Sequence, residues 1–120
     1  MIAVYKEKII LFGCGEHARM VIDNIEDQGK YELFGLVTNL DNELGKKVYG
    51  YNVLCKDEEL EELLKVNKDI TGYFLGIGNM KVREMVYRIM DKRLKAVNII
   101  HPAAIISRHA NIGSGNIFEA

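Results

Sequence analysis

Apolar residues fall in short bursts along this chain, and each burst carries a period. Ile9-Ile10-Leu11-Phe12 completes a run that begins at Lys8 and stops at Gly13-Cys14-Gly15, the pattern of a short strand ending in a turn. Ala18, Val21, Ile22 and Ile25 then recur at i, i+3, i+4 and i+7, which predicts one apolar face of a helix, with Gly29 placed to end it. Tyr31–Thr38 (YELFGLVT) is rich in aromatic and branched residues and predicts a second strand. The polar stretch Asn39–Lys47 reads as a loop, and the weak alternation of Val48–Leu54 as a short extended segment. Asp57 is placed to cap a second helix whose apolar stripe is Leu60, Leu63, Leu64 and Val66, with glutamates on its first turns as the helix dipole favours. Ile70–Ile77 predicts a third strand, closed by Gly78-Asn79. Val82, Met85, Val86, Ile89 and Met90 outline a third helix, and Ala96–Ile100 a last strand.

Strands that alternate with helices call for a parallel sheet whose crossovers are right-handed. The expected fold is therefore α/β, a Rossmann-like parallel sheet with helices on both faces. After His101-Pro102 the period changes. Ile106, Ile112 and Phe118 are spaced by six, with Ala104, Ala110 and Asn116 two places before each. A six-residue period headed by apolar residues is the signature of a left-handed β-helix, in which three hexads make one coil and each coil needs neighbours. From Ile106 to Ala120 there are fifteen residues, less than one coil. The expected division is 1–102 as the Rossmann-like domain and 103–120 as the first, incomplete hexads of the β-helix.

Composition narrows the function. The 120 residues carry 16 basic and 17 acidic side chains, a formal charge of -1, so no excess of positive charge is available to neutralise a nucleic-acid backbone. No apolar run approaches the length of a membrane span, and residues 1–8 lack the apolar region of a secretory signal. Cys14 and Cys55 form no metal-binding spacing. The expectation is a cytoplasmic, metal-free domain without nucleic-acid or membrane partners.

The candidate chemistry lies in Phe12-Gly13-Cys14-Gly15-Glu16-His17-Ala18. Glycines there let a backbone approach a ligand, and the following helix offers unpaired N–H groups to an anion. The spacing is GxGxxA, with Ala18 small enough for close packing of helix on sheet. A tight turn without a ligand has the same glycines. His17 stands in the first helical turn, where it can donate to a phosphate or sugar hydroxyl or simply face water. Cys14 reads as a small side chain fitting the loop. At the end of the second strand, where dinucleotide folds offer an acid to a ribose, this chain has Thr38-Asn39, and the first acid is Asp41. Gly76-Ile77-Gly78-Asn79 forms a second glycine-rich turn at the same edge. Arg83 follows one turn into the next helix, able to reach a phosphate or to pair with Glu84 or Asp91. His101 and His109 have no nucleophile or carboxylate at a suggestive spacing, and His101-Pro102 reads as a turn.

In combination, GCGEHARMVIDNI, LFGLVTN, GKKVYGYNVL, YFLGIGNMKVREMVY and NIIHPAAIISRHANIGSGNIFEA resemble the bacterial sugar O-acyltransferases of the PglD/NeuD type, over nearly the whole chain. The resemblance implies a substrate-holding domain for a UDP-linked amino sugar or a sialic-acid-type substrate. It also implies a β-helix that binds acetyl-CoA and supplies a catalytic histidine, in a homo-oligomer that is trimeric when complete. By the same resemblance, Gly13, Cys14, Gly15 and His17 match the phosphate and sugar loop. Gly78 and Asn79 match the turn beside the nucleotide, and Arg83 the arginine of the next helix. Two positions depart from the pattern: Thr38 and Asn39 replace an acidic pair near the nucleoside, and Glu16 replaces a glycine. No residue of this chain matches the family's catalytic histidine, so the expectation is substrate binding without transfer by these residues alone. A dinucleotide- or CoA-binding sensor module is the alternative reading, and a pure assembly module a third.

Overall fold

The computed structural model of the protein describes residues 5–77 and 79–120. Strand β1 (Glu7–Phe12) leads through the glycine turn into helix α1 (Glu16–Gln28), and β2 (Tyr31–Thr38) follows. A hairpin of β3 (Lys47–Val48) and β4 (Tyr51–Lys56) comes next, then α2 (Leu60–Val66), β5 (Ile70–Leu75), α3 (Met80–Met90) and β6 (Lys95–Ala96). Among the described residues these strands form one six-stranded sheet in the order β3-β4-β2-β1-β5-β6, parallel except where β3 turns back on β4. Strand order reverses between β1 and β5, which makes that junction the topological switch point.

Alternation along β1 feeds two cores. Ile9 and Leu11 pack with Ala18, Val21, Ile22 and Ile25 of α1 on one face, all buried. Ile10 and Phe12 pack with Leu60 of α2 and Val86 and Met90 of α3 on the other. Helices therefore cover both faces, as the period of the sequence requires. α1 ends at Gly29, whose φ of 68° lets its N–H reach Ile25 O.

Several elements depart from their predicted form. The loop after β2 contains a 3-10 turn at Asp41–Glu43, and the link to β4 is a hairpin whose Tyr49-Gly50 corner has positive φ at both residues. Asp57 does not cap α2. It opens a 3-10 turn, Asp57–Glu59, in which Glu59 accepts a hydrogen bond from the Lys56 N–H, and α2 proper begins at Leu60. Val66, the last residue of α2, faces solvent and is 81% exposed. In α3 the buried residues Val86 and Met90 lie four apart, with half-buried Val82 four before them, and Met85, 100° from Val86 around the axis, is half exposed. The side chain of Ile89 lies outside the described residues.

The stretch Ala96–Ile100 is divided rather than continuous. Lys95–Ala96 completes the large sheet, whereas β7 (Ile99–Ile100) pairs in parallel with β8 (Ile117–Phe118), Ile99 with Ile117 and Ile100 with Phe118. Asn98 makes the division. Its side chain donates to Gly113 O at 2.8 Å and accepts from the Asn116 N–H at 2.8 Å, which turns the chain away from β5. The paired residues are eighteen apart, the length of three six-residue steps. Ile106, Ile112 and Phe118 are half-buried, while the intervening Ile105 is fully exposed. His101, read as a turn residue, is one. Its Nδ1 accepts from Ala103 N–H, and Nε2 donates to Asp27 of α1 at 3.1 Å.

Gly13 is held tightly against backbone. Its φ is +119°, and a Cβ there would meet Gly76 O at 2.5 Å. Gly13→Ala is expected to cost more than about 2 kcal/mol, from strain and overlap together. A Cβ at Gly15 would touch nothing within 4 Å, so Gly15→Ala should stay within about 1 kcal/mol. Urea unfolding of the two variants checks both values.

Candidate functional site

The glycine turn sits at the carboxyl end of the sheet, over the switch point. Gly13 N–H donates to Val37 O at 2.8 Å on one side, and Gly76 N–H donates to Phe12 O at 2.8 Å on the other. The turn is thus stitched to β2 and β5 at once. Ala18 occupies the third position of the GxGxxA spacing with no exposed surface, its Cα within 3.6 Å of where a Cβ on Gly76 would be. A larger side chain there would hold α1 off the sheet. Gly15 is the N-cap of α1, and no side chain caps that end, so the first amides of the helix are left for water or an anion. His17 is exposed on this first turn and has no hydrogen-bond partner among the described residues. Glu16 beside it brings negative charge to the same helix end.

Thr38 ends β2 and is almost wholly buried. Its hydroxyl accepts from Leu40 N–H at 3.1 Å and donates to Glu43 Oε1 at 2.6 Å. Glu43, half-buried on the 3-10 turn, is therefore a carboxylate placed beside the end of β2, where the sequence reading found no acid. Asp41, the first acid in the chain after β2, is mostly exposed and pairs with Lys56 at 2.8 Å. Motif spacing could not find Glu43, because it lies five residues beyond the strand and arrives only when the turn folds back. Asn39 is exposed, with no hydrogen-bond partner among the described residues. Cys14 faces Glu43 and Thr38, and its thiol is pushed up to about 11, first by burial and then by the Glu43 carboxylate, with Thr38 opposing. Burial outweighs the helix end, and Cys14 stays a thiol.

Across the switch point the second turn behaves differently from its prediction. Asn79 spends its side-chain oxygen capping α3, accepting from Lys81 N–H at 3.0 Å and Val82 N–H at 3.2 Å. Gly78 lies outside the described residues. Arg83 is half-buried and has no ion-pair partner among the described residues, because Glu84 pairs with Arg88 and Asp91 accepts from Tyr73. It lines a recess of about 500 Å³ between α3, the edge of β5 and residues 114–116, with Met80, Tyr87 and Asn116. Gly13, Cys14 and Thr38 are brought together; Arg83 belongs to this adjoining recess. A larger hollow, about 780 Å³, lies at the opposite ends of the strands among Lys8, Glu32 and Asp69. The end of α1, with Glu26 and Gly29, lines it, and Lys8 there pairs with both Glu32 and Asp69.

The site thus combines a glycine turn at a switch point, an open helix end and a polar strand end. The family model for the PglD N-terminal domain matches residues 8–90, which span every element of this edge. The chain belongs to the PglD N-terminal domain family. No curated protein matches the sequence. Among solved structures, a mutant of perosamine N-acetyltransferase from Caulobacter crescentus, in complex with CoA and GDP-perosamine, superposes with a TM-score of 0.81 at 26% identity, covering 98% of this chain and 53% of that one. The acetyltransferase domain of PglB from Neisseria gonorrhoeae, in complex with acetyl coenzyme A, gives 0.76 at 24% identity over 94% of this chain and 53% of that one. A Rex-family repressor in complex with beta-NADH gives 0.61 at 17% over 93% and 52%. The last two likenesses are of fold alone. The chain spans about half the length of each of these structures.

In this PglD-type domain both cysteines are unreactive by environment, since burial also raises Cys55 to about 11. Alkylation of the folded protein should follow a pH midpoint near 11, two units above the ordinary 9.0. A raised thiol pKa favours folding below the unfolded value, so this contribution is whole below pH 9 and is lost as pH rises through 11. Mass-spectrometric alkylation at each cysteine checks the midpoint. A Cys14 midpoint below 9 contradicts it.

Proposed function

We propose that this domain holds a nucleoside-diphosphate-linked amino sugar for an acetyl-CoA-dependent sugar acetyltransferase of bacterial surface-glycan biosynthesis. The observation that supports this reading most directly is the Gly13–Gly15 turn running into the uncapped end of α1, with Gly15 open outward. A diphosphate suits that end, because backbone amides and the helix dipole both favour an anion there. His17 adds a donor on the same turn. Glu16 works against the diphosphate and sets a limit on its affinity.

In the reaction the sugar amine attacks the acetyl thioester and a base takes its proton; acetyl-CoA supplies the acetyl group. The residues described above do the positional part, fixing one reactant so that the encounter becomes intramolecular. The eighteen-residue step from β7 to β8 supports the reading of residues 99–120 as the opening of a hexapeptide β-helix that assembles with further copies. The domain boundary is then proposed near Asn98, where the chain leaves the large sheet, rather than after Pro102. The sequence reading names UDP as the nucleotide, whereas the Caulobacter enzyme was solved with GDP-perosamine, so both are tested.

Isothermal titration with UDP, GDP, a UDP-amino sugar and NADH provides the test. A nucleoside diphosphate should bind and NADH should bind more weakly. Gly15→Val places a branched side chain in the space a ligand would use, at a position where an added Cβ meets nothing within 4 Å. It should abolish that binding while the unfolding free energy from urea denaturation changes by about 1 kcal/mol or less. Unchanged affinity in the variant, or no binding of either diphosphate to the native chain, overturns the proposal.

A further inference from the structure

We infer that Glu43 is the ribose-recognition residue of this site, accepting hydrogen bonds from the sugar diol of a bound ribonucleotide and making the domain select ribose over deoxyribose. The inference rests on the proposed nucleotide-sugar function and adds the residue that reads the nucleoside half.

Geometry comes first. In a doubly wound sheet the nucleoside lies over the end of the second strand, and the diphosphate lies over the turn after the first. Thr38 ends that strand here, and its hydroxyl cannot offer a second acceptor to a ligand, because it is buried and already engaged on both sides. Only one oxygen of Glu43 is used by Thr38. The carboxylate also faces the Cys14 thiol, a weak donor, and Oε2 has no stronger donor among the described residues; the side chain is half-buried. A carboxylate fixed at one oxygen by a strong donor, with only a weak thiol donor besides, keeps lone pairs for a pair of vicinal hydroxyls, since it accepts and never donates.

The turn that carries Glu43 is held on both sides. Lys56, at the end of β4, reaches Asp41 at 2.8 Å and Glu58 at 2.8 Å. Glu43 N–H donates to Leu40 O and Leu44 N–H to Asp41 O, which close the 3-10 turn. Thr38 and Lys56 are thus positioning residues, and Glu43 is the group that meets the ligand. If Glu43 served only to satisfy the Thr38 hydroxyl, a neutral amide would do equally well. Glu43→Gln keeps an oxygen for Thr38 while removing the charge and turning an N–H₂ toward the diol, so it separates the two roles.

The experiment titrates the full chain with UDP and GDP and with the 2′-deoxy and 3′-deoxy forms of whichever binds. The native protein should prefer the ribonucleotide by roughly tenfold or more, as a hydrogen bond to a charged group provides. Glu43→Gln and Glu43→Ala should weaken the ribonucleotide by a similar factor and leave the deoxy forms within about twofold, erasing the preference. Thr38→Val should give a smaller loss in the same direction. A native chain that binds ribo and deoxy forms alike overturns the inference without any variant, as does a preference that survives Glu43→Gln. Both results leave nucleotide binding standing. Absence of binding by any diphosphate instead overturns the function on which the inference rests.

Discussion

Gly13 and Gly76 press two stretches of backbone together at the switch point, and the arrangement of the upper edge follows from that contact. A side chain on Gly13 would strike the carbonyl of Gly76, and one on Gly76 would press on Leu11 and approach Ala18. Because neither residue carries one, β1 and β5 stay paired up to their last residues and α1 starts directly above the sheet. Two hydrogen bonds, Gly13 to Val37 and Gly76 to Phe12, then lock the turn to both neighbours. The helix end, the end of β2 and the turn after β5 are consequently fixed relative to one another. Such rigidity is what a positioning site requires, since an error of an ångström in the held reactant is felt in the rate.

The elements of the two cores were legible because their periods are unambiguous. Ala18, Val21, Ile22 and Ile25 repeat at helical spacing and all are buried, and the β1 run alternates between the α1 face and the α2–α3 face. The glycine turn was legible for a different reason. A GxG between a strand and a helix has few uses, and the positive φ at Gly13 is one that only glycine meets without strain.

Other features depend on contacts that a one-dimensional pattern does not encode. Glu43 approaches Thr38 only after a 3-10 turn reverses the chain, so counting from the strand end pointed at Asp41, which the fold gives to Lys56. Asn79 sits in a motif position yet also precedes a helix, and capping claimed its oxygen. Met85 satisfies a loose helical stripe but lies one residue off the buried row of Val82, Val86 and Met90. Ala96–Ile100 reads as one strand in sequence, and it is divided at its central polar residue, because Asn98 is bonded to Gly113 and Asn116, fifteen and eighteen residues further on.

That division joins the two parts of the chain mechanically. Ile99 leaves the large sheet but remains fully buried against α1, in the same core as Val21 and Ile25. His101 extends the contact. Ala103 N–H occupies Nδ1, so the ring proton is on Nε2 and points at Asp27 of α1. The helix whose uncapped first turn is the proposed diphosphate site is thus also the helix on which β7 is anchored, through its last turns. A ligand held at one end of α1 therefore has a set distance and direction to whatever is built on β7 and β8. The apolar contact of Ile99 does most of this anchoring, because a buried isoleucine contributes about 1.5–3 kcal/mol whereas a partly exposed hydrogen bond contributes about 1. His101 and Asp27 mainly fix the angle at which the chain departs.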